Sequence, residues 1–261
     1  MKIDLHIHSR EGSDGRMPLD LIFDEAERRR LSLLSVTDHD SMECQAEAVR
    51  LARDHRIGYI TGIELNISFS HKDYINGKSF SLDCLGYGVD IQNYALHRKL
   101  EELRAYRRKR AQLIMDKVNE VLASEDKPLL GPDDIREIEE NVDGTFGRPH
   151  IADHLVKKGL AAARQEAFDR YLVRCNVPKM PVLLEEAADL VRAAGGLIVL
   201  AHPNNPRGTS LSVMTKSLDR QHEIIKETML PYLDGLECWH SSHDLETVSA
   251  YLKFARDENL I

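Results

Sequence analysis

The chain has 261 residues, 42% hydrophobic and 30% charged, enough to bury a sizeable core and too apolar for wholesale disorder. Its 35 basic and 43 acidic residues give a net charge of −8, the wrong sign for gripping long nucleic acid by neutralising phosphates. No apolar run approaches the ~18 residues of a membrane helix, and no signal-peptide pattern opens the chain.

In chain order, residues 2–8 (KIDLHIH) read as a strand, and Pro18 to Arg30 as a helix with Leu19, Ile22, Phe23 and Ala26 on one side. A buried strand, Leu31 to Thr37, and a helix, Ser41 to His55, follow. Two further strands are expected at Gly58 to Phe69 and Ser81 to Val89. Residues 92–178 break this rhythm. Leu96, Leu100, Leu103, Ile114, Val118 and Val121 recur near helical spacing, and prolines 128 and 132 punctuate. The segment reads as an all-helical insertion. Residues 99–178 carry 15 basic and 15 acidic residues, so the flanking parts hold the whole net charge. After it come a helix (184–194), a strand (197–201), a helix (216–229), a strand (235–239) and a helix (245–259). Apolar strands alternating with amphipathic helices predict an α/β fold with a mainly parallel sheet or barrel, in two parts (1–91 and 179–261) around the insertion (92–178). Cys44, Cys84, Cys175 and Cys238 are far apart, without the spacing of a disulfide framework or zinc ribbon, and the composition points to the cytoplasm.

Chemistry collects where these strands end. His6 and His8, preceded by Asp4, are two apart on a strand, so both imidazoles face one side and can converge on an ion. Two ordinary solvated histidines would look the same. Thr37-Asp38-His39-Asp40 follows the next apolar strand, where a helix N-cap cluster is the plainer alternative. Glu64 is a single acid inside an apolar segment, costly to bury unless paired or metal-bound. His202 follows another strand, and Glu237 with His240 a further one. Five strands ending in His, Asp or Glu are hard to ascribe to chance.

The motifs DLHIHS, SDG, TDHD, GIE and AHP, in that order, resemble the PHP (polymerase and histidinol phosphatase) superfamily, in detail its stand-alone metal-dependent phosphoesterases of the TrpH/YciV type. The resemblance implies a distorted (β/α)7 barrel with an all-helical cap and two or three divalent ions, Mn2+, Zn2+, Fe2+ or Mg2+, at the strand ends. It assigns His6, His8 and Glu64 to a first ion, and Asp14 with His39 to a second. Glu64, Asp83 and His202 fall to a third. Asp83 stands where many relatives have His, which favours a hard ion; Cys84 would face away. Arg148 and His150 lie in a GRPH motif that faces substrate phosphate in relatives, although both could simply cap a helix. The basic run Arg107 to Arg110 wraps a helix and reads mainly as a solvated face. His55, His71, His97, His154 and His222 read as structural or surface residues. The family's closing strand, ending Gly-Ser-Asp-x-His, is not found before Ile261, which would leave the second ion with the fewest ligands.

The activity implied is hydrolysis of a small phosphate ester by a hydroxide bridging two ions. The expected substrate is a nucleotide: a nucleoside monophosphate, a 3',5'-bisphosphate or a short oligonucleotide end. No long duplex and no membrane partner is expected. Asp38 and Asp40 would orient ligands, and His240 would contact substrate or assist the leaving group. A metal hydrolase acting on a non-phosphate bond and a catalytically impaired metal-binding module are the alternatives.

Overall fold

Two βα units open the chain, and their boundaries follow from local sequence. The structure, a computed structural model, describes residues 1–140, 147–206 and 208–261. β1 (Ile3–Ile7), α1 (Leu19–Arg29), β2 (Leu33–Val36), α2 (Gln45–His55) and β3 (Gly58–Tyr59) come first. On α1, Leu19, Ile22, Phe23 and Ala26 are all buried and join Leu34, Val36, Ala48 and Leu51 in one core cluster. Both helices end on an arginine in the left-handed region, Arg30 at φ 58° and Arg56 at φ 56°. Each returns its N–H to a carbonyl of the last turn, which turns the chain sharply into the next strand. β1, β2 and β3 form a parallel sheet in that order.

The strand expected over Gly58 to Phe69 is two strands. β3 stays in the first sheet, and β4 (Gly62–Ser70) starts a second. The chain crosses tightly at Gly62, where a Cβ would lie 2.3 Å from Ser35 Oγ and 2.6 Å from Thr37 Cγ2. Gln45 pins the crossing: its side-chain oxygen accepts from Gly62 N (3.2 Å) and Tyr59 OH (2.8 Å), and its Nε2 donates to Val36 O (2.8 Å). α2 therefore begins at Gln45 and not at Ser41.

β5 (Ser79–Tyr87) pairs antiparallel with β4 along the full nine residues of each. After it come α3 (Tyr94–Ser124), α4 (Pro132–Glu140), α5 (Arg148–Lys157), α6 (Arg164–Ala167) and α7 (Leu184–Ala193). β6 (Leu197–Leu200), α8 (Leu218–Thr228), β7 (Gly235–Leu236) and α9 (Leu245–Asp257) complete the chain. β6 pairs antiparallel with β5 and parallel with β7. The second sheet is thus mixed, and the expectation of a mainly parallel arrangement gives way there. A β4–β5 hairpin cannot be a βα repeat, because antiparallel neighbours need no crossover helix. Among the described residues the strands form two sheets, β1-β2-β3 and β4-β5-β6-β7, and no closed barrel. An isolated parallel bridge, His39 to Glu64, links them.

The chain divides into two compact units, residues 1–98 with 181–261, and residues 99–180. The second is helical among its described residues and has its own core, with Ile114, Val118, Leu122, Ile151, Leu155 and Tyr171 all buried. No helix among the described residues is long and apolar enough to cross a membrane.

Candidate metal centre

Glu64, expected inside a strand running from Gly58 to Phe69, sits third in β4, at the start of a strand. It reaches the site because β4 lies beside the segment that follows β2. Asp40 N donates to Glu64 O (2.8 Å), and Glu64 N donates to Asp38 O (3.2 Å). The carboxylate is 1% exposed and gathers four imidazoles. Its Oε2 lies 3.3 Å from His6 Nε2, 3.1 Å from His8 Nε2 and 3.0 Å from His39 Nδ1. Its Oε1 lies 3.1 Å from His202 Nε2. Burial alone would raise the Glu64 pKa, but hydrogen bonds from His202, His6 and His8 and the charge of His39 hold it well below the usual range.

The same residues bear on whether cations fit. Desolvation opposes a charged His6, yet hydrogen bonds to Glu237 and Glu64 outweigh it and push the ring up to about 10. His8, bonded to Asp14 and Glu64 against the same desolvation, is pushed up to about 9. Each ring faces a carboxylate with both nitrogens, so each is held as an imidazolium. Yet His6 Nε2 and His8 Nε2 are only 3.1 Å apart, so the two positive rings repel each other. One divalent cation taking both lone pairs removes the conflict and supplies the positive charge Glu64 needs. The donor set of imidazole nitrogen and carboxylate oxygen suits Zn2+, Mn2+ or Fe2+.

Among the described residues, four groupings of potential ligand atoms surround this point: His6, His8 and Glu64; His6, Glu237 and His240; His8, Asp14 and His39; His39, Glu64 and Asp83. Asp14 Oδ1 accepts from His8 Nδ1 at 2.9 Å. Asp83 lies mid-strand in β5, its carboxylate accepting from Asn66 Nδ2 (2.6 Å) and from the Thr209 hydroxyl, with His202 Nε2 at 3.9 Å. Cys84 points into the core and is fully buried, which pushes its thiol up and keeps it inert. His202 adopts φ +25° and Asp40 φ +46°, strained backbone of the kind that clusters at functional sites. A cleft of about 280 Å³ opens over these groups.

The supporting residues divide differently from the sequence expectation. Asp38 is fully buried and faces the loop after β1: it accepts from Ser9 N, Ser9 Oγ and Ser13 Oγ, each at 2.7 Å, and from Cys44 Sγ at 2.9 Å. It fixes the loop that carries Asp14. Asp40 Oδ1 accepts from Asn66 N (3.2 Å). Glu237 goes unassigned in the sequence reading, although its place after a strand was a signal. Its Oε1 accepts from His6 Nδ1 (2.9 Å) and its Oε2 from His202 N (2.6 Å), so it orients two imidazoles at once. Asn66 and Thr209, which hold Asp83, give no such signal. His240 packs edge-on near the centre, its ring centroid 5.1 Å from that of His202 and 5.9 Å from that of His6. His243 Nδ1 donates to Cys238 O (3.0 Å) and packs beside Tyr251, a structural placement.

In the helical unit, His150 does cap α5: its Nδ1 accepts from Gly147 N at 3.0 Å. Arg148 sits over the Phe168 ring, 5.7 Å from its centroid. The basic run is not one solvated face. Arg110 is buried, donating to Val177 O (2.6 Å) and Asn176 Oδ1 (2.8 Å). Desolvation and the charge of Arg148 lower its pKa, while desolvation and Arg110 bring Arg107 down to about 10. These arginines form one electropositive neighbourhood. Asp134, Glu137 and His154 also cluster, but Lys158 and Lys157 already pair with the two acids.

Imidazoles and carboxylates converging where two sheets meet form a candidate metal centre of the kind that hydrolases use. The PHP domain family matches residues 4–193, and the chain belongs to that family. A 3',5'-nucleoside bisphosphate phosphatase of Chromobacterium violaceum is 27% identical over 258 residues, 95% of this chain and 80% of that protein. The 5'-3' exoribonuclease Rnm of Escherichia coli is 28% identical over 205 residues, 77% of this chain and 64% of that protein. Among solved structures, a protein of Bifidobacterium adolescentis assigned as a metal-dependent phosphoesterase superposes with a TM-score of 0.73 at 26% identity, covering 100% of this chain and 85% of that one.

Proposed function

We propose that the Glu64 centre hydrolyses a small phosphate ester, a nucleotide or the end of a short oligonucleotide. Family and relatives make the chain a metal-dependent phosphoric ester hydrolase. The observation that carries the reading is the convergence of four imidazoles on one buried carboxylate. Nucleotide substrates are favoured by relatives that act on a nucleoside bisphosphate and as an exoribonuclease.

His6, His8, Asp14, His39, Glu64, Asp83 and His202 would hold two or three divalent ions, with Glu64 shared between them. Bound ions would supply charge to the phosphoryl oxygens and acidity to an attacking water. The chain's own groups prepare the rest. Glu237 accepts the Nδ1–H of His6 and so leaves the Nε2 lone pair to face inward when an ion is bound. Asp38 holds the loop bearing Asp14, and Asp40 holds β4 against the segment after β2. His240 Nδ1 accepts from Ser242 N at 3.1 Å, which leaves the proton of the neutral ring on Nε2. Desolvation lowers the His240 pKa and keeps the ring neutral, so it offers an N–H to the leaving oxygen. Arg148 and His150 are assigned to the substrate phosphate, with the guanidinium supplying a rigid fork of donors.

The test is an assay of the Mn2+-loaded protein on a nucleoside 3',5'-bisphosphate, a nucleoside monophosphate and a 5'-phosphorylated trinucleotide. Release of phosphate or mononucleotide that disappears in Glu64→Ala is expected. No turnover of any of the three overturns the reading.

A further inference from the structure

Trp239 is the sole tryptophan of the chain, and its side chain lies on the surface, 67% exposed. A single exposed apolar side chain is ordinary in itself, so the weight of this one lies in where it stands. Its position is specific. Trp239 lies between Glu237, which bonds His6 and His202, and His240, whose ring packs against that of His202. Successive Cα atoms are about 3.8 Å apart, so the indole is rooted at the rim of the metal centre.

The cleft itself gives a second, independent indication. It measures about 280 Å³ and is lined by imidazoles, Glu64, Asp83, Asn205, Gly208 and Thr209. That lining suits ions and a phosphoryl group. At about 280 Å³ the cleft is also smaller than the roughly 300–1,000 Å³ of pockets that enclose a small-molecule ligand. A base attached to the phosphate at the centre must therefore rest outside the cleft.

We propose that Trp239 is a stacking platform for the nucleobase of the substrate, and so a determinant of specificity for nucleotides over other phosphate esters. The inference rests on the phosphoesterase reading above. Stacking suits any base, because every base has a π-face, so the platform selects for a base without selecting which one. A free mononucleotide and an RNA end present the same group to it.

The experiment uses the indole as its own reporter. The protein is titrated with adenosine monophosphate, with ribose 5-phosphate and with a 5'-phosphorylated dinucleotide, following tryptophan fluorescence. Quenching by the two base-bearing ligands and none by ribose 5-phosphate is expected, and the tighter of the two identifies the source. No quenching by either overturns the platform, whatever the turnover. In kinetics, Trp239→Ala should raise the KM for the nucleotide about tenfold relative to that for ribose 5-phosphate. Trp239→Phe should recover most of this. An equal change for both esters overturns the proposal while leaving the phosphoesterase reading standing. Failure of that reading would show as no turnover of any ester by the wild type, while the fluorescence titration still decides the stacking.

Discussion

Glu64 Oε2 lies 3.0 Å from His39 Nδ1, and the same two residues form the isolated parallel bridge between the two sheets. Backbone and side chain meet at one point, so the register that joins the sheets also sets the geometry of the site. A shift of one residue in β4 would turn Glu64 to the opposite face.

Glu64 touches four imidazoles and His6 only part of the cluster, so the two should not be equivalent. Glu64→Ala is expected to lower metal content by more than one equivalent, and His6→Ala by one at most. Elemental analysis of both variants decides it. Equal losses would show that Glu64 is not shared between ions.

Glu237 uses both oxygens as acceptors, one for His6 Nδ1 and one for His202 N. Glu237→Gln replaces one oxygen with an NH2 group that must face an N–H. Metal affinity should fall about 10- to 100-fold with the circular dichroism unchanged. Chelator-competition titration measures this, and an unaltered affinity would remove Glu237 from the site.

Protons and metal ions compete for the same nitrogens. Without metal, His6 and His8 stand at about 10 and about 9, above an ordinary 6.5. A raised folded pKa stabilises fully below the unfolded value, and the benefit is lost as pH rises through the folded value. The metal-free protein should therefore lose stability across that alkaline window. Added Mn2+ should raise Tm more at about pH 9 than at about pH 6. Thermal unfolding with and without Mn2+ tests the sign, and a shift that shrinks on the alkaline side would contradict it.

A Cβ at Gly12 would lie 1.9 Å from Asp38 Oδ2, against the carboxylate that organises residues 9–14. Asp38→Ala strands buried donors of Ser9 and Ser13 and should cost about 1–3 kcal/mol of stability. Gly12→Ala should weaken metal binding by displacing the same loop. Denaturant unfolding and metal titration report the two effects, and wild-type values in both variants would exclude the anchoring role.

Arg148→Ala should raise the KM for phosphate substrates while metal content stays the same, since a guanidinium is not a ligand. Charge-assisted bonds of about 1.5–3 kcal/mol correspond to roughly ten- to a hundredfold. Steady-state kinetics with elemental analysis would show it. Unchanged kinetics would leave Arg148 a residue that packs on Phe168.

The sequence by itself marked out the candidate histidines, because its signals are local. His6 and His8 share a strand face through the two-residue period, and His39 and His202 each follow a short apolar run. The helix faces of α1 and α2 were legible for the same reason, since i, i+3 and i+4 spacing needs no knowledge of partners. Only the tertiary structure decided that Glu64 starts a strand, that β4 and β5 pair antiparallel, and that the chain changes sheets at Gly62. It also decided the work of Asp38 and Glu237. His6 and Glu237 are 231 residues apart in sequence, and their hydrogen bond exists only because β1 and β7 are brought together. Local periodicity shows which face of an element is polar; which distant group that face meets depends on sheet order and register, and these are settled by packing across the whole chain.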